Sequence, residues 1–280
     1  MKYFKHICKL FLTKEKAIII FIIFLLLNLS LFVVYKNSLY SEAGYNAVYP
    51  NAGIELFYYI HIIGINPYHF ICMLLLLPNI VSCDFLTMYL SHTHYSIELR
   101  ISKKTYYILT FLINIVMTFL VVLLLELAIL LIIHLFYSPI LFNTMEYPQY
   151  YHAITSLIFT DEIKNLIAFL LMTSFGYGLV SALLFSIQYF ITNPYVYRCS
   201  GVIIGILLVL LPALIQGYFP NPDNVFILQI NNLVCLGLEG VRDNPFHLDH
   251  SFVYILSALI YMIVSYIGFS YMYKGRCQHD

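Results

Sequence analysis

The sequence predicts an all-α polytopic membrane protein with six transmembrane helices and both termini in the cytoplasm. Three observations lead to this prediction. Of the 280 residues, 61% are hydrophobic and only 10% are charged, whereas about a quarter of an ordinary soluble domain is charged. Six segments are apolar over lengths close to the roughly 20 residues that a helix needs to cross a bilayer. Lys and Arg are also shared unequally between the loops on the two sides.

The predicted transmembrane helices occupy residues 17–35, 67–85, 106–137, 166–191, 201–219 and 252–273. The first follows a basic stretch, 1–16, as the apolar part of a signal peptide would. Its apolar run is too long for that part, however, and no small-residue cleavage site follows. We therefore expect a retained first helix after an amphipathic cytoplasmic N-terminal segment. No linker or repeat divides the chain, so residues 1–280 are expected to form one transmembrane domain.

Basic residues predict the orientation, because cytoplasmic loops carry an excess of Lys and Arg. With the N-terminus inside, three basic residues lie outside: Lys36, Lys164 and Arg242. Eleven then lie in the cytoplasm: Lys2, Lys5, Lys9, Lys14, Lys16, Arg100, Lys103, Lys104, Arg198, Lys274 and Arg276. The opposite orientation would invert this ratio.

Two segments of the predicted outer loops are themselves apolar, Ile54–Ile65 and Val225–Leu238. Both are too short to cross a bilayer. Such segments form either a packed extracellular cap or short re-entrant or interfacial helices, and the sequence leaves both alternatives open.

The cytoplasmic loop 86–105 precedes the longest apolar run of the chain. About 32 helical residues would extend to about 48 Å, whereas the hydrocarbon core is about 30 Å thick. The third helix is therefore expected to tilt, break or project from the membrane. The charged residues around this loop are Asp84, Glu98, Arg100, Lys103 and Lys104. They mark either a topogenic basic loop or a segment that transmits force from a cytoplasmic partner.

A family resemblance favours the second alternative. Asp84 ends one apolar segment, and the sequence RISKKTYY, 100–107, opens the next. Together they resemble the second and third transmembrane helices of type-2 ABC exporter permeases. The small-residue-rich stretch Gly176–Tyr197 also resembles the fourth helix of this family and the turn that follows it. In topology the resemblance covers the whole chain, but residues 85–96 lack the Gly that members often carry there.

The resemblance implies a permease subunit of an ATP-driven exporter in a bacterial plasma membrane. This chain would be no enzyme and would bind no cofactor. ATP and Mg²⁺ would belong to separate ATP-binding cassette subunits, since the chain has no P-loop motif. A second permease copy, identical or related, is also implied. The coupling residues would be Asp84, Glu98, Arg100, Lys103 and Lys104, and the cargo a peptide, lipid-like or drug-like molecule.

Glu126 is the only acidic residue deep inside a predicted span. A charge at that depth costs about 2.5–3.5 kcal/mol on insertion scales. Either Glu126 is an intramembrane polar site that contacts substrate or carries a proton, or it is a neutral carboxyl hydrogen-bonded to another helix. Gln188, a Ser or a Thr is the expected partner in the second case.

Other function classes find less support in the sequence. The histidine pairs His92/His94 and His247/His250 lack the further ligands of a zinc site, so no metal site is predicted. The formal net charge of zero gives no basic footprint for nucleic acid. A membrane scaffold or immunity protein, an ion-coupled secondary transporter and an intramembrane enzyme are the alternatives to the permease.

Overall fold

The computed structural model describes residues 13–38, 52–62, 64–82, 84–92, 102–142, 158–159, 161–188, 190–191, 193–218, 226–236, 238 and 249–278. These residues form helices and turns, and the described part contains no strand. The helices are α1 (Lys14–Ser38), α2 (Ala52–Tyr59), α3 (Pro67–Phe70, Ile71–Leu76 and Leu77–Ser82 in succession), α4 (Asp84–Leu90), α5 (Lys103–Ile132, extended by Ile133–Tyr137), α6 (Glu162–Ile187), α7 (Pro194–Tyr218), α8 (Asn231–Val234) and α9 (His250–Gln278).

Four of the described helices, α1, α5, α6 and α9, are long and apolar enough to cross a membrane. They correspond to the first, third, fourth and sixth predicted spans. The second and fifth predicted spans fall on α3 and α7, whose apolar helical stretches are shorter, Pro67–Ile80 and Tyr195–Leu211. The all-α prediction is confirmed for the described residues, and four helices with the dimensions of membrane spans indicate a membrane protein.

The helices direct apolar side chains outward and polar ones inward. On α1 the outward row includes Ile18, Phe21, Leu25 and Leu29, each of them roughly half exposed. Buried polar residues, in contrast, include Asn114, Thr118, Glu126, Thr173, Ser174, Ser181 and Ser257. A surface of large apolar side chains is unfavourable in water, but lipid accepts it, and this arrangement therefore agrees with a bundle surrounded by lipid.

Aromatic contacts place four helix ends together. Phe85 of α4 lies with its ring centroid 6.0 Å from that of Tyr106 at the start of α5 and 4.8 Å from that of Phe185 at the end of α6. Phe111 of α5 lies 4.8 Å from Phe269 near the end of α9. We call this end of the molecule the α4 end. The opposite end contains α2, α8 and the start of α3, so successive long helices alternate in direction.

Helix α3 is widened to π geometry over Ile71–Leu76, where the Leu77 N–H bonds the Cys72 carbonyl. Pro78 follows directly and has no N–H with which to continue the α pattern. The sequence indicates a kink at this proline, and the π segment is how the helix accommodates it. π segments inside α-helices are frequent at functional sites, and this one begins two residues after His69.

The apolar segments predicted to lie outside are packed into the protein. Phe226, Ile230 and Leu233 are almost completely buried. The carbonyl groups of the 3₁₀ turn before α8 accept hydrogen bonds from α9, where Ser257 Oγ donates to Ile227 O at 2.6 Å and Tyr261 Oη to Leu228 O at 3.0 Å. Side chains of α9 thus supply hydrogen-bond partners to this backbone where water is excluded.

Side-chain caps set where two long helices begin. Ser102 Oγ accepts the Thr105 N–H at 3.3 Å and starts α5 three residues before the predicted 106. Asp161 Oδ1 accepts the Ile163 and Lys164 N–H groups at 3.0 and 3.1 Å and starts α6. The bond from Lys164 N–H and the other hydrogen bonds hold the pKa of Asp161 below its usual value. Both helices therefore extend beyond their apolar segments.

Candidate functional site

Three ionisable side chains meet in the buried core near the end of the molecule opposite α4. His61 follows α2, His69 lies in the first turn of α3, and Glu126 lies in the second half of α5. Their side chains are 0%, 3% and 0% exposed, respectively. We call this set the buried triad. Ionisable groups are rare in membrane interiors and usually mark function.

Hydrogen bonds to His61 define where its protons lie. Its Nδ1 is 2.7 Å from the Phe57 carbonyl oxygen, which can only accept, so Nδ1 carries a hydrogen. Its Nε2 is 3.0 Å from Glu126 Oε2. Two lone pairs would repel at this distance, so one proton lies between them. Whether this proton resides on His61 or on Glu126, the pair has no net charge, which lowers the cost of burying it.

His69 completes the triad with both ring nitrogens lacking a hydrogen-bond partner among the described residues. Its Nε2 lies 3.9 Å from Glu126 Oε1, which also accepts no hydrogen bond there. The ring centroid of His69 is 4.6 Å from that of His61. His69 and Glu126 are thus close enough to share a ligand, but no direct hydrogen bond joins them.

Local contacts fix the backbone positions of both histidines. Asn66 caps α3, since its Oδ1 accepts the His69 N–H at 3.1 Å. Its Nδ2 donates to Ser30 Oγ of α1 at 3.2 Å. Cys235 Sγ donates to the His61 carbonyl at 3.0 Å. These bonds tie the triad to α1 and to the segment after α8.

Apolar and aromatic side chains enclose His61. The ring centroids of Phe57 and Phe169 lie 4.8 and 5.1 Å from that of His61, both close to edge-on. Val122, Leu125 and Ile129 of α5 are also buried in the same core cluster. In such a low-dielectric environment, polar interactions are stronger and an unpartnered polar group is costly.

A second polar network lies elsewhere in the core. Asn114 Nδ2 donates to Ser181 Oγ at 2.9 Å and to the Ser181 carbonyl at 3.0 Å. Ser181 Oγ in turn donates to the Pro78 carbonyl at 3.2 Å. This network joins α3, α5 and α6. His134, a further polar residue of the predicted third helix, is exposed, and its Nδ1 accepts the Ile140 N–H. Among the described residues, Asn114 and His134 therefore form no relay with Glu126.

Three of the five residues predicted for coupling, Asp84, Lys103 and Lys104, lie at the α4 end. Lys103 and Lys104 occupy the first turn of α5, and Lys104 is exposed. Asp84 begins α4, but its side chain lies outside the described part of the chain. Glu98 and Arg100 also lie outside the described residues. The grouping of all five predicted residues into one coupling site therefore stays a prediction.

Sequence reasoning identified Glu126 but expected Gln188, a Ser or a Thr as its partner, whereas the structure pairs it with His61. His61 and His69 were missed. One signal was present, because His61 interrupts an apolar run and His69 lies two residues after Pro67 at the start of another. Ionisable residues embedded in apolar segments are candidates to pair with a lone intramembrane carboxyl.

The comparisons with known proteins add no relative. No protein-family model matches the sequence, and neither the curated proteins nor the solved structures give a match.

Proposed function

We propose that the chain is the membrane-spanning permease subunit of an ATP-driven exporter, working with a separate ATP-binding subunit in a bacterial plasma membrane. The observation that carries this proposal is the position of α4. A short helix between α3 and α5 is joined by Phe85 to the start of α5 and to the end of α6, and Phe269 of α9 belongs to the same core cluster. An element built in this way is suited to receive a push at the membrane surface and to pass it to the bundle.

The packing around Phe85 supports a mechanical role. Phe85 is 2% exposed, and Tyr106 and Tyr107 are 1% and 0% exposed. Closely packed side chains transmit a displacement because protein interiors are about as dense as organic crystals. A movement of α4 would therefore shift α5 and α6 together and not only the connecting segment.

The charge at the start of α5 supports docking of a partner at this end. Cations at a helix N-terminus oppose the macrodipole and typically cost about 0.3–1 kcal/mol each. Lys103 and Lys104 nevertheless occupy the first turn of α5, which contains no acidic residue. The helix end and the exposed ammonium group of Lys104 together give a positive patch that favours an acidic surface on the partner.

The full topology belongs to the same proposal. Six spans would arise if α3 and α7 also cross the bilayer, and the α4 end would then face the cytoplasm with both termini. Lys274 near the end of α9 and the two lysines at the start of α5 lie on this side. Binding and hydrolysis of ATP by the partner would bias the bundle between inward-facing and outward-facing packings.

Purification of the complex from native membranes tests the proposal. We expect a P-loop ATPase to co-purify with the wild-type chain. We expect Lys104→Glu to reduce the amount recovered at least about tenfold, because it replaces an attractive charge by a repulsive one at the docking end. Quantitative mass spectrometry of the eluate measures the ratio of ATPase to permease.

Lys36→Glu is the matched control. Lys36 is an exposed lysine in the last turn of α1, at the other end of the molecule, and its reversal should leave the ATPase recovery unchanged. A wild-type chain that purifies without any P-loop ATPase and retains its activity would refute the exporter and favour a scaffold, an immunity protein or an ion-coupled transporter.

A further inference from the structure

We propose that His61, His69 and Glu126 form a binding site for one divalent transition-metal ion of the type that prefers imidazole, with Zn²⁺ as the expected ligand. The ligand atoms would be the Nε2 atoms of both histidines and the carboxylate of Glu126. Two histidines and one glutamate are a recurrent set of protein ligands for zinc, which leave a fourth position for water or another small ligand.

The distances between the donor atoms suit such an ion. The three donors all lie within 4.8 Å of one another. His61 Nε2 and Glu126 Oε2 are 3.0 Å apart, and His69 Nε2 and Glu126 Oε1 are 3.9 Å apart. Donors of a tetrahedral zinc ion with bonds of about 2.0–2.2 Å are separated by about 3.3–3.6 Å. These two separations lie on either side of that value, and the remaining one must close from at most 4.8 Å.

The orientation of His61 is that of a metal ligand. Its Nδ1–H donates to the Phe57 carbonyl at 2.7 Å and so directs Nε2 at Glu126. A metal-ligating histidine almost always donates its other ring N–H in this way, which fixes the tautomer and the ring plane. The bond is local, since Phe57 precedes His61 by four residues.

Three buried atoms of the triad that lack a hydrogen-bond partner among the described residues support the metal site independently. Both ring nitrogens of His69 and Oε1 of Glu126 are buried and have no partner among the described residues. A buried polar atom without a partner costs about 1–3 kcal/mol. One ion would bind His69 Nε2 and Glu126 Oε1 together.

The ligand chemistry selects the class of ion. Imidazole nitrogen favours Zn²⁺, Cu²⁺, Fe²⁺ and Ni²⁺, whereas Ca²⁺ and Mg²⁺ favour sites made of oxygen. Zn²⁺ would displace the proton shared by His61 and Glu126, and that proton would leave to solvent. The bound ion would join the segment after α2, the start of α3, and α5 at one point.

Zinc binding to chains purified without a polyhistidine tag and reconstituted into lipid nanodiscs tests the proposal. We expect wild type to retain about one Zn²⁺ per chain by elemental mass spectrometry. Zinc should also raise its melting temperature. His69→Phe keeps an aromatic ring and removes both nitrogens, and Glu126→Gln keeps the shape and removes the charge. Both should bind zinc at least about tenfold more weakly and lose the thermal shift.

His134→Gln is the matched control because His134 is an exposed histidine on the same helix, α5. It should bind zinc as wild type does. Two results would overturn the proposal: a wild type that binds no more zinc than the two triad variants, or an equal thermal shift in all four proteins. The use of two triad variants protects the test should one of them fail to fold.

Discussion

The buried contact between His61 and Glu126 is sensitive to substitution of either residue. Both side chains are fully buried, and among the described residues the 3.0 Å contact is the one hydrogen bond that joins the two side chains. Loss of one partner from a buried pair typically costs more than the pair contributes, because the remaining group keeps its desolvation penalty. The stability lost on substitution of Glu126 should therefore depend on whether the new side chain can still form a hydrogen bond with His61 Nε2.

We expect Glu126→Ala to destabilise the protein by about 2–5 kcal/mol, because it leaves His61 Nε2 without a partner and opens a cavity in α5. Glu126→Gln should cost less than about 2 kcal/mol, because its amide can donate to neutral His61. Thermal unfolding in metal-free lipid nanodiscs measures both. Leu124→Ala is the control, since Leu124 is 66% exposed on the same helix, and equal losses for the two Glu126 variants would contradict the pairing.

How far the site could be predicted follows from the separation of its residues along the chain. Glu126 stands out because a carboxyl inside an apolar run needs an explanation. Its partner, His61, is 65 residues away, and no local pattern specifies a contact of that length. The sequence also does not reveal the hydrogen bond between His61 Nδ1 and the Phe57 carbonyl, because this bond depends on where the backbone leaves α2 after Tyr59.

Helices α6 and α8 approach each other closely at Gly176. A Cβ added to Gly176 would meet the Leu233 carbonyl carbon at 2.8 Å and would come closer still to its oxygen. Gly178 lies on another side of α6, against Ile115 of α5. Gly176 and Gly178 of the predicted fourth helix thus permit close contacts within the chain.

We expect Gly176→Ala to destabilise the protein by about 1–3 kcal/mol, because backbone atoms of α8 would have to move. The melting temperature in nanodiscs should fall accordingly. Gly64→Ala is the control, since a Cβ at Gly64 would have no atom within 4 Å. An unchanged melting temperature for Gly176→Ala would show that α8 is not held against α6.

The elements differ in how readily the sequence predicts them. The long helices were predicted because an apolar run of that length has few alternatives, although their starts were displaced by the Ser102 and Asp161 caps. The π segment of α3 was not predicted, since accommodation of Pro78 depends on neighbouring helices. The cap and re-entrant alternatives for α8 were also undecided, because they differ only in tertiary contacts such as the bond from Ser257.

At the scale of the molecule, the two ends of the bundle have different chemistry. The α4 end has a core of aromatic side chains and exposed lysines. The other end contains the buried triad and the polar bonds of Asn66 and Cys235. In the proposed exporter, the α4 end receives work from the ATPase. Helices α3 and α5 connect the α4 end with the buried triad, which lies about 20 residues further along α5.

The orientation of the molecule tests the exporter proposal most directly, because a cytosolic ATPase can dock only if the α4 end faces the cytoplasm. Single cysteines at Lys104 and Lys36 in a background with the six native cysteines replaced can be labelled with a membrane-impermeant maleimide. We expect Lys36→Cys to react in intact cells and Lys104→Cys to react only after the membrane is opened. Labelling of Lys104→Cys in intact cells, with Lys36→Cys protected, would contradict the account.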